Sequence, residues 1–115
     1  MNKELIQKWV DALESEKYSQ TRKKLRGKDG HCCLGVLIEV IDPKAQWVWK
    51  ELTMRYHYPV RDGYCSCVPP KSFWEKLDIS EEVSDYQQMN DGAHDGSAPP
   101  MSFEEIAQHL REKYL

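Results

Sequence analysis

Apolar residues recur at helical spacing near both ends of the chain. The first pattern follows Asn2, a predicted N-cap, and ends near Ser15. Its apolar positions are Leu5, Ile6, Trp9, Val10 and Leu13. The second pattern begins directly after Ser102, and Ser102 and Glu105 have the spacing of a capping box. Its buried stripe is Phe103, Ile106, Ala107, Leu110 and Tyr114. Both patterns predict amphipathic helices that turn one face inward.

The most apolar segment runs from Cys32 to Ile41, with Glu39 as the clear exception. Its β-branched content suits a central strand, but its length and the Asp42-Pro43 stop favour a helix. A helix that is apolar all round belongs in the middle of a domain. Gly35 costs about 1 kcal/mol relative to alanine in a helix, so we expect it to permit a close backbone contact.

The pattern changes to β-rich stretches between residues 47 and 68. The predicted extended segments are Trp47–Trp49, Leu52–Val60 and Tyr64–Val68. Asp62-Gly63 predicts a hairpin turn, and Pro59 marks an edge or a strand end.

Two short helices are predicted after this region. One has a capping box at Ser72 and Glu75, and the other begins at Ser80, where Glu81 and Glu82 suit the helix dipole. Residues 91 to 100 are predicted to form an exposed loop. The predicted fold class is α+β, a single domain of residues 1–115 with helices around a buried central helix and one small antiparallel hairpin or sheet.

Charge and composition restrict the location and the partners. A net charge of −3 argues against a nucleic-acid partner, and above all against general binding to a duplex, although a local basic patch fits inside an acidic whole. No apolar run approaches the roughly 20 residues of a membrane span, and the N-terminus lacks the features of a signal peptide. We therefore expect a protein of the cell interior with no membrane partner, whose four cysteines are not a disulfide framework.

Three groups of residues carry a family resemblance. They are Gln20 with Leu25-Arg26, the block from Cys32 to Leu37, and Met89-Asn90-Asp91-Gly92 leading to the segment from Ser102 to Ala107. The chain resembles a family of small uncharacterised proteins encoded by tailed bacteriophages and prophages, from about Trp9 to the C-terminus. The loop before Ser102 is longer than in that family, and the hairpin between Tyr56 and Val68 is not part of its pattern. The resemblance implies a phage origin and a fold more than a chemistry.

The strongest polar signal is a basic arm, which consists of Arg22, Lys23, Lys24, Arg26 and Lys28. These side chains can contact phosphates, and Arg26 can offer two parallel N–H groups to an oxyanion. Backbone N–H groups at the N-terminus of the next helix, near Gly30 to Cys33, would add donors for the same anion. The alternative is a solvated arm that balances an acidic surface.

The candidate ligand-binding residues extend beyond the arm. They are Gln20, Arg22, Lys24, Arg26, His31, Cys33, Trp47, Asn90 and Asp91. In this hypothesis the arm holds phosphates, an aromatic residue such as Trp47 stacks on a base, and Asn90 or Asp91 contacts a ribose or a base edge. Capping of a helix C-terminus also explains Asn90 and Asp91.

Metal and catalytic sites find little support in the pattern. The cysteines with His31, His57 and His94 could ligate zinc, but neither cysteine pair has the Cys-x2-4-Cys spacing. We therefore predict no metal and no cofactor, with thiols that pack as small hydrophobic groups. No serine-hydrolase elbow, phosphate-binding P-loop or His-Glu-x-x-His motif occurs in the sequence, so we expect a protein that is not an enzyme.

Three functions follow from these observations. The first is a phage accessory protein, of an anti-defence kind, that sequesters a nucleotide-derived signalling molecule in the host cytoplasm. The second is a modulator that binds a host protein, and the third is a small DNA-binding regulator. The third meets two objections: the loop from Asp91 to Met101 is too long for a helix-turn-helix, and the last helix is not basic. Homo-oligomerisation is left open.

Overall fold

The computed structural model describes residues 1–115 as five helices and a three-stranded antiparallel sheet. The elements in chain order are α1 (Lys3–Glu14), α2 (Cys33–Ile41), β1 (Val48–Lys50), β2 (Arg55–Val60), β3 (Gly63–Cys65), α3 (Lys71–Glu75), α4 (Val83–Asp91) and α5 (Phe103–Tyr114). The strand order is β1-β2-β3. This arrangement confirms the predicted α+β class. None of the helices has both the length and the apolar character needed to cross a membrane.

The two terminal helices begin where their capping signals predict. The Asn2 side chain accepts a hydrogen bond from the Leu5 N–H at 3.1 Å. At the other end, the Ser102 hydroxyl accepts one from the Glu105 N–H, and the Glu105 carboxylate accepts one from the Ser102 N–H. α1 packs against both α5 and α2, and α4 also packs against α2, so α1 and α4 cover the central helix.

Helix α2 is the centre of the core, as its composition predicts. Every residue from Cys33 to Ile38 is buried. A Cβ atom at Gly35 would lie only 2.0 Å from the Leu25 carbonyl oxygen, which confirms that this glycine permits a close backbone approach. Leu25 is itself fully buried in the core cluster.

The sheet is a meander whose central strand, β2, packs Tyr58 into the core. The predicted hairpin is confirmed, since Val60 pairs with Gly63 across a turn that contains Asp62. Pro59 lies next to the end of β2, beyond the residues that pair with β1, in agreement with its predicted position at a strand end. The stretch predicted to begin at Leu52 starts too early, because residues 51–54 form a turn.

The starts of the two short helices differ from their predictions. The capping box at Ser72 and Glu75 is wrong: α3 begins at Lys71, and Pro70, with φ −53° and ψ 141°, occupies the N-cap position. The Phe73 and Trp74 N–H groups donate to the Pro70 carbonyl at 2.9 and 3.3 Å, so the helix begins before Ser72 can cap it. Helix α4 begins at Val83 and not near Ser80.

Candidate functional site

The basic arm is an ordered part of the fold. The Leu25 N–H donates to the Ser66 carbonyl at 2.8 Å, and the Tyr56 N–H donates to the Arg26 carbonyl at 3.0 Å. These contacts join the arm to the sheet region. The buried Leu25 side chain fixes its middle against the core.

A cavity of about 610 Å³ lies between the basic arm and one face of α4. We call it the arm–α4 cleft. The arm contributes Lys23 and Lys24, and the opposite wall contributes Ser84, Gln87, Gln88, Asp91 and His94. The structure therefore brings together three residues of the predicted binding set, Lys24, Asn90 and Asp91.

The lysines of this cleft have no ion-pair partner, whereas its carboxylate, Asp91, is partly engaged in hydrogen bonds. Neither Lys23 nor Lys24 forms an ion pair with a carboxylate. The Asp91 Oδ1 atom accepts hydrogen bonds from the Lys23 N–H at 2.8 Å and from the Asn90 amide at 2.9 Å. Its Oδ2 atom receives none, so it is free to accept from a ligand.

Asn90 lies beneath the cleft and is only 1% exposed. Its Oδ1 atom accepts from the Gln20 amide and from the Cys33 N–H, both at 3.0 Å. Its Nδ2 group donates to the Thr21 carbonyl and to Asp91, both at 2.9 Å. All of its hydrogen-bonding capacity is used within the protein, which gives Asn90 a structural role and leaves no group free for a ligand.

The N-terminus of α2 is capped by the protein's own groups. The Cys33 N–H is bound to Asn90, and the Gly35 N–H donates to the Cys32 sulfur at 3.4 Å. The sequence suggested anion donors near Gly30 to Cys33, but the His31, Cys32 and Cys33 N–H groups all donate within the protein, the first two to the Ser19 and Leu25 carbonyls. Burial raises the pKa of the Cys32 thiol to about 12, so it remains protonated.

Gln20 and Cys33 also belong to the interior. The Gln20 amide donates to the Met101 carbonyl at 2.8 Å as well as to Asn90. The Cys33 side chain is fully buried, and its thiol donates to the Tyr86 carbonyl. Burial raises the pKa of this thiol well above its ordinary value. Neither side chain lines the cleft.

Three further members of the predicted set form a separate cluster around Glu39. The Trp47 indole N–H donates to Glu39 Oε1 at 2.8 Å, and His31 Nε2 lies 3.4 Å from Glu39 Oε2. The Arg26 guanidinium lies 4.5 Å from the centre of the Tyr56 ring and 5.8 Å from that of Trp47. The structure thus brings Arg26, His31 and Trp47 together, but away from the cleft. Arg22 is exposed and joins neither group.

Sequence reasoning missed the polar face of α4 that lines the cleft. Ser84, Gln87, Gln88 and Asp91 follow one another at helical spacing, so the signal for a shared face was present in the sequence. It was overlooked because an exposed polar helix face is the ordinary outcome.

A second missed feature is the environment of Glu81, for which the sequence suggests only a favourable place at the helix dipole. Its Oε1 atom accepts from the Tyr86 hydroxyl at 2.6 Å and from the Tyr114 hydroxyl at 2.8 Å. Its Oε2 atom lies 2.9 Å from His109 Nε2 and 3.6 Å from Lys113 Nζ. Burial raises the pKa of Glu81, but the hydrogen bonds from Tyr86, His109 and Tyr114 outweigh it and hold the pKa below the ordinary 4.5.

We expect Glu81→Gln to lower the free energy of unfolding at pH 7 by about 1–3 kcal/mol, because it removes charge-assisted hydrogen bonds. Since the pKa of Glu81 is lower in the folded than in the unfolded chain, its ionised form stabilises the fold above about pH 4.5. That contribution disappears as the pH falls through the folded-state pKa. Urea denaturation across this range should show the difference from wild type shrinking at acid pH.

The matched control is Glu112→Gln on the exposed face of α5. It should change stability by less than about 0.5 kcal/mol at either pH. A constant deficit of Glu81→Gln from pH 7 to pH 3 would contradict the assignment.

No group of three or more His, Cys, Asp or Glu side chains is placed to hold a metal ion. All four cysteines are free thiols, and only Cys67 is exposed.

Comparison with known proteins gives a family but no annotated relative. A family model described as a domain of unknown function (DUF8296) matches residues 1–114, almost the whole chain. No curated protein and no solved structure matches.

Proposed function

The chain belongs to the DUF8296 family, and we propose that it is a non-catalytic binding protein that holds a small phosphate-bearing molecule in the arm–α4 cleft. The observation that carries this proposal is that the ammonium groups of Lys23 and Lys24 have no carboxylate partner and lie across the cleft from hydrogen-bonding side chains of α4, of which only Asp91 is a carboxylate. The cavity of about 610 Å³ falls in the usual range of small-molecule sites, about 300–1,000 Å³.

The chemistry of the two walls favours a nucleotide-derived ligand. Lysine ammonium groups bind phosphate oxygens, whereas the amides of Gln87 and Gln88 can pair with a base edge. The free Oδ2 atom of Asp91 can accept from a ribose hydroxyl. No Trp, Tyr or Phe side chain lines the cleft, so the ligand is read through hydrogen bonds and not by stacking on Trp47.

The biological part of the proposal rests on the resemblance to phage proteins. In that setting the protein acts in the cytoplasm of the bacterial host and lowers the concentration of a nucleotide signal of the host's defence. A binding protein suits this task, because sequestration needs no turnover of the ligand.

We expect calorimetry and thermal shift against cyclic mononucleotides, cyclic dinucleotides and ADP-ribose to identify a ligand that raises Tm. Inorganic phosphate serves as the baseline. Lys24→Glu should weaken binding of that ligand at least about tenfold, because it replaces an attraction by a repulsion. Lys44→Glu makes the same charge change at an exposed site outside the cleft and should bind like wild type.

Either of two results would sink the proposal. One is the absence of a Tm shift for every nucleotide of the panel. The other is a ligand whose affinity is unchanged by Lys24→Glu.

The second candidate function is binding to a host protein and modulating it, and one observation favours it. Leu52 is fully exposed and Met54 is 56% exposed, both in the turn between β1 and β2. A pull-down from host lysate that enriches one protein with wild type but not with Leu52→Asp would favour it.

A further inference from the structure

One face of the sheet packs against the core, and the other is open. Residues that pair directly across antiparallel strands share a face. On the outer face Val48 lies opposite His57, Lys50 lies opposite Arg55, and Pro59 lies opposite Tyr64. Tyr64 is 51% exposed and Val48 is 38% exposed, so this face meets solvent.

The charged groups of the outer sheet face are cations without carboxylate partners. The Lys50 ammonium lies 3.6 Å from the centre of the Tyr64 ring. The Arg55 guanidinium donates to the Thr53 and Lys23 carbonyls and to the Cys67 sulfur. Neither forms an ion pair with an acidic side chain.

The lowered pKa of a neighbouring histidine is consistent with a positive electrostatic potential at the outer sheet face. Burial and the positive charges of Lys50 and Arg55 lower the pKa of His57 below its ordinary value. The turn between β2 and β3 adds Arg61 and Asp62, whose charges offset each other.

The net charge of the whole protein conceals a strong segregation of charge. Residues 17–68, which contain the basic arm and the sheet, hold ten of the sixteen Lys and Arg residues but only five of the nineteen Asp and Glu residues. This part of the chain therefore carries a formal charge of +5, and the remainder carries −8. The hydrogen bond from Arg55 to the Lys23 carbonyl joins the arm to the outer face, so the two basic regions are continuous.

We propose that the outer sheet face binds single-stranded nucleic acid, with Lys50 and Arg55 at the phosphates and a base stacked on the face of Tyr64 that Lys50 does not cover. Charge complementarity selects a polyanion, and the exposed aromatic ring beside Lys50 selects one whose bases are unstacked. The bases of a duplex are already stacked on one another. A duplex is also wide enough to be repelled by the acidic remainder of the protein. This surface adjoins the arm–α4 cleft through Arg55, but none of Lys50, Arg55 and Tyr64 lines the cleft, so the inference goes beyond the proposed function.

The test is fluorescence anisotropy with labelled oligothymidylate of about twelve nucleotides, within the usual site size. We expect saturable binding at about 50 mM salt that weakens steeply towards 200 mM. Tyr64→Ala should weaken binding at least about fivefold, whereas Tyr64→Phe, which keeps the ring, should bind like wild type. Lys50→Glu should reduce the slope of log affinity against log salt by about 0.7, the value for one phosphate that the protein no longer neutralises.

Lys3→Glu is the matched control, because it makes the same charge change on the exposed side of α1. Unfolding curves of all variants establish that they are folded. The proposal is overturned by absence of saturable binding, by equal affinity for a duplex of the same length, or by equal weakening in Lys3→Glu. It is also overturned if ultracentrifugation of the protein alone shows a dimer that Lys50→Glu dissociates, since the occupant is then a second copy.

Discussion

Gly35→Ala is expected to lower the free energy of unfolding by about 3 kcal/mol or more, against the usual benefit of alanine in a helix. The added Cβ would meet the Leu25 carbonyl oxygen at 2.0 Å and its carbonyl carbon at 2.9 Å. Both are main-chain atoms, so no rotamer change relieves the overlap. The arm has to move, and this movement strains the Cys32 N–H bond to the same carbonyl, which is 3.0 Å long.

Urea denaturation followed by circular dichroism measures this effect. Gly96→Ala is the control, since its Cβ would meet nothing within 4 Å and its φ of +79° costs only about 1 kcal/mol. If Gly35→Ala were instead more stable than wild type, the close approach of arm and helix would be refuted.

Asn90→Ala is expected to cost about 3–5 kcal/mol. The substitution removes one buried side chain that serves the arm, α2 and the end of α4 at once. It leaves the Cys33 N–H and the Thr21 carbonyl without their partners, and each buried unsatisfied group costs about 1–3 kcal/mol.

Asn90→Asp tests the same hydrogen bonds with nearly constant shape. It replaces the amide donors by an acceptor beside the Asp91 carboxylate, so it should also destabilise the fold at neutral pH, and less so in acid. Gln108→Ala provides the control, because this exposed amide on α5 bonds only to Glu112. A destabilisation below about 1 kcal/mol for Asn90→Ala would show that Asn90 does not hold these elements together.

The sequence predicts best those elements whose signals are local. The caps at Asn2 and Ser102 and the apolar run before Asp42 each lie within a few residues of the structure that they determine. Gly35 is informative for the same reason, because a glycine inside an apolar helix needs a packing explanation.

The candidate site was less predictable because its geometry depends on partners far apart in the chain. The Leu25 N–H bonds to Ser66, and the Asn90 amide bonds to Thr21. Partners this far apart leave no periodic pattern in the sequence from which they could be predicted. Lys24 and Asp91 were predicted as part of one site, and they do line one cavity. Arg26 and Trp47 were predicted beside them, but cation–π packing draws these two side chains together elsewhere.

The attachment of the basic arm has a consequence for its dynamics. Apart from Leu25 it buries little apolar surface, so its order is supplied by hydrogen bonds to Ser66, Tyr56 and Asp91, which lie on three different parts of the chain. Such a segment cannot form early in folding, because loop closure has to precede it. It is also the segment that local unfolding should release before the helical core opens, and a molecule held in the cleft would add its binding free energy to that opening step.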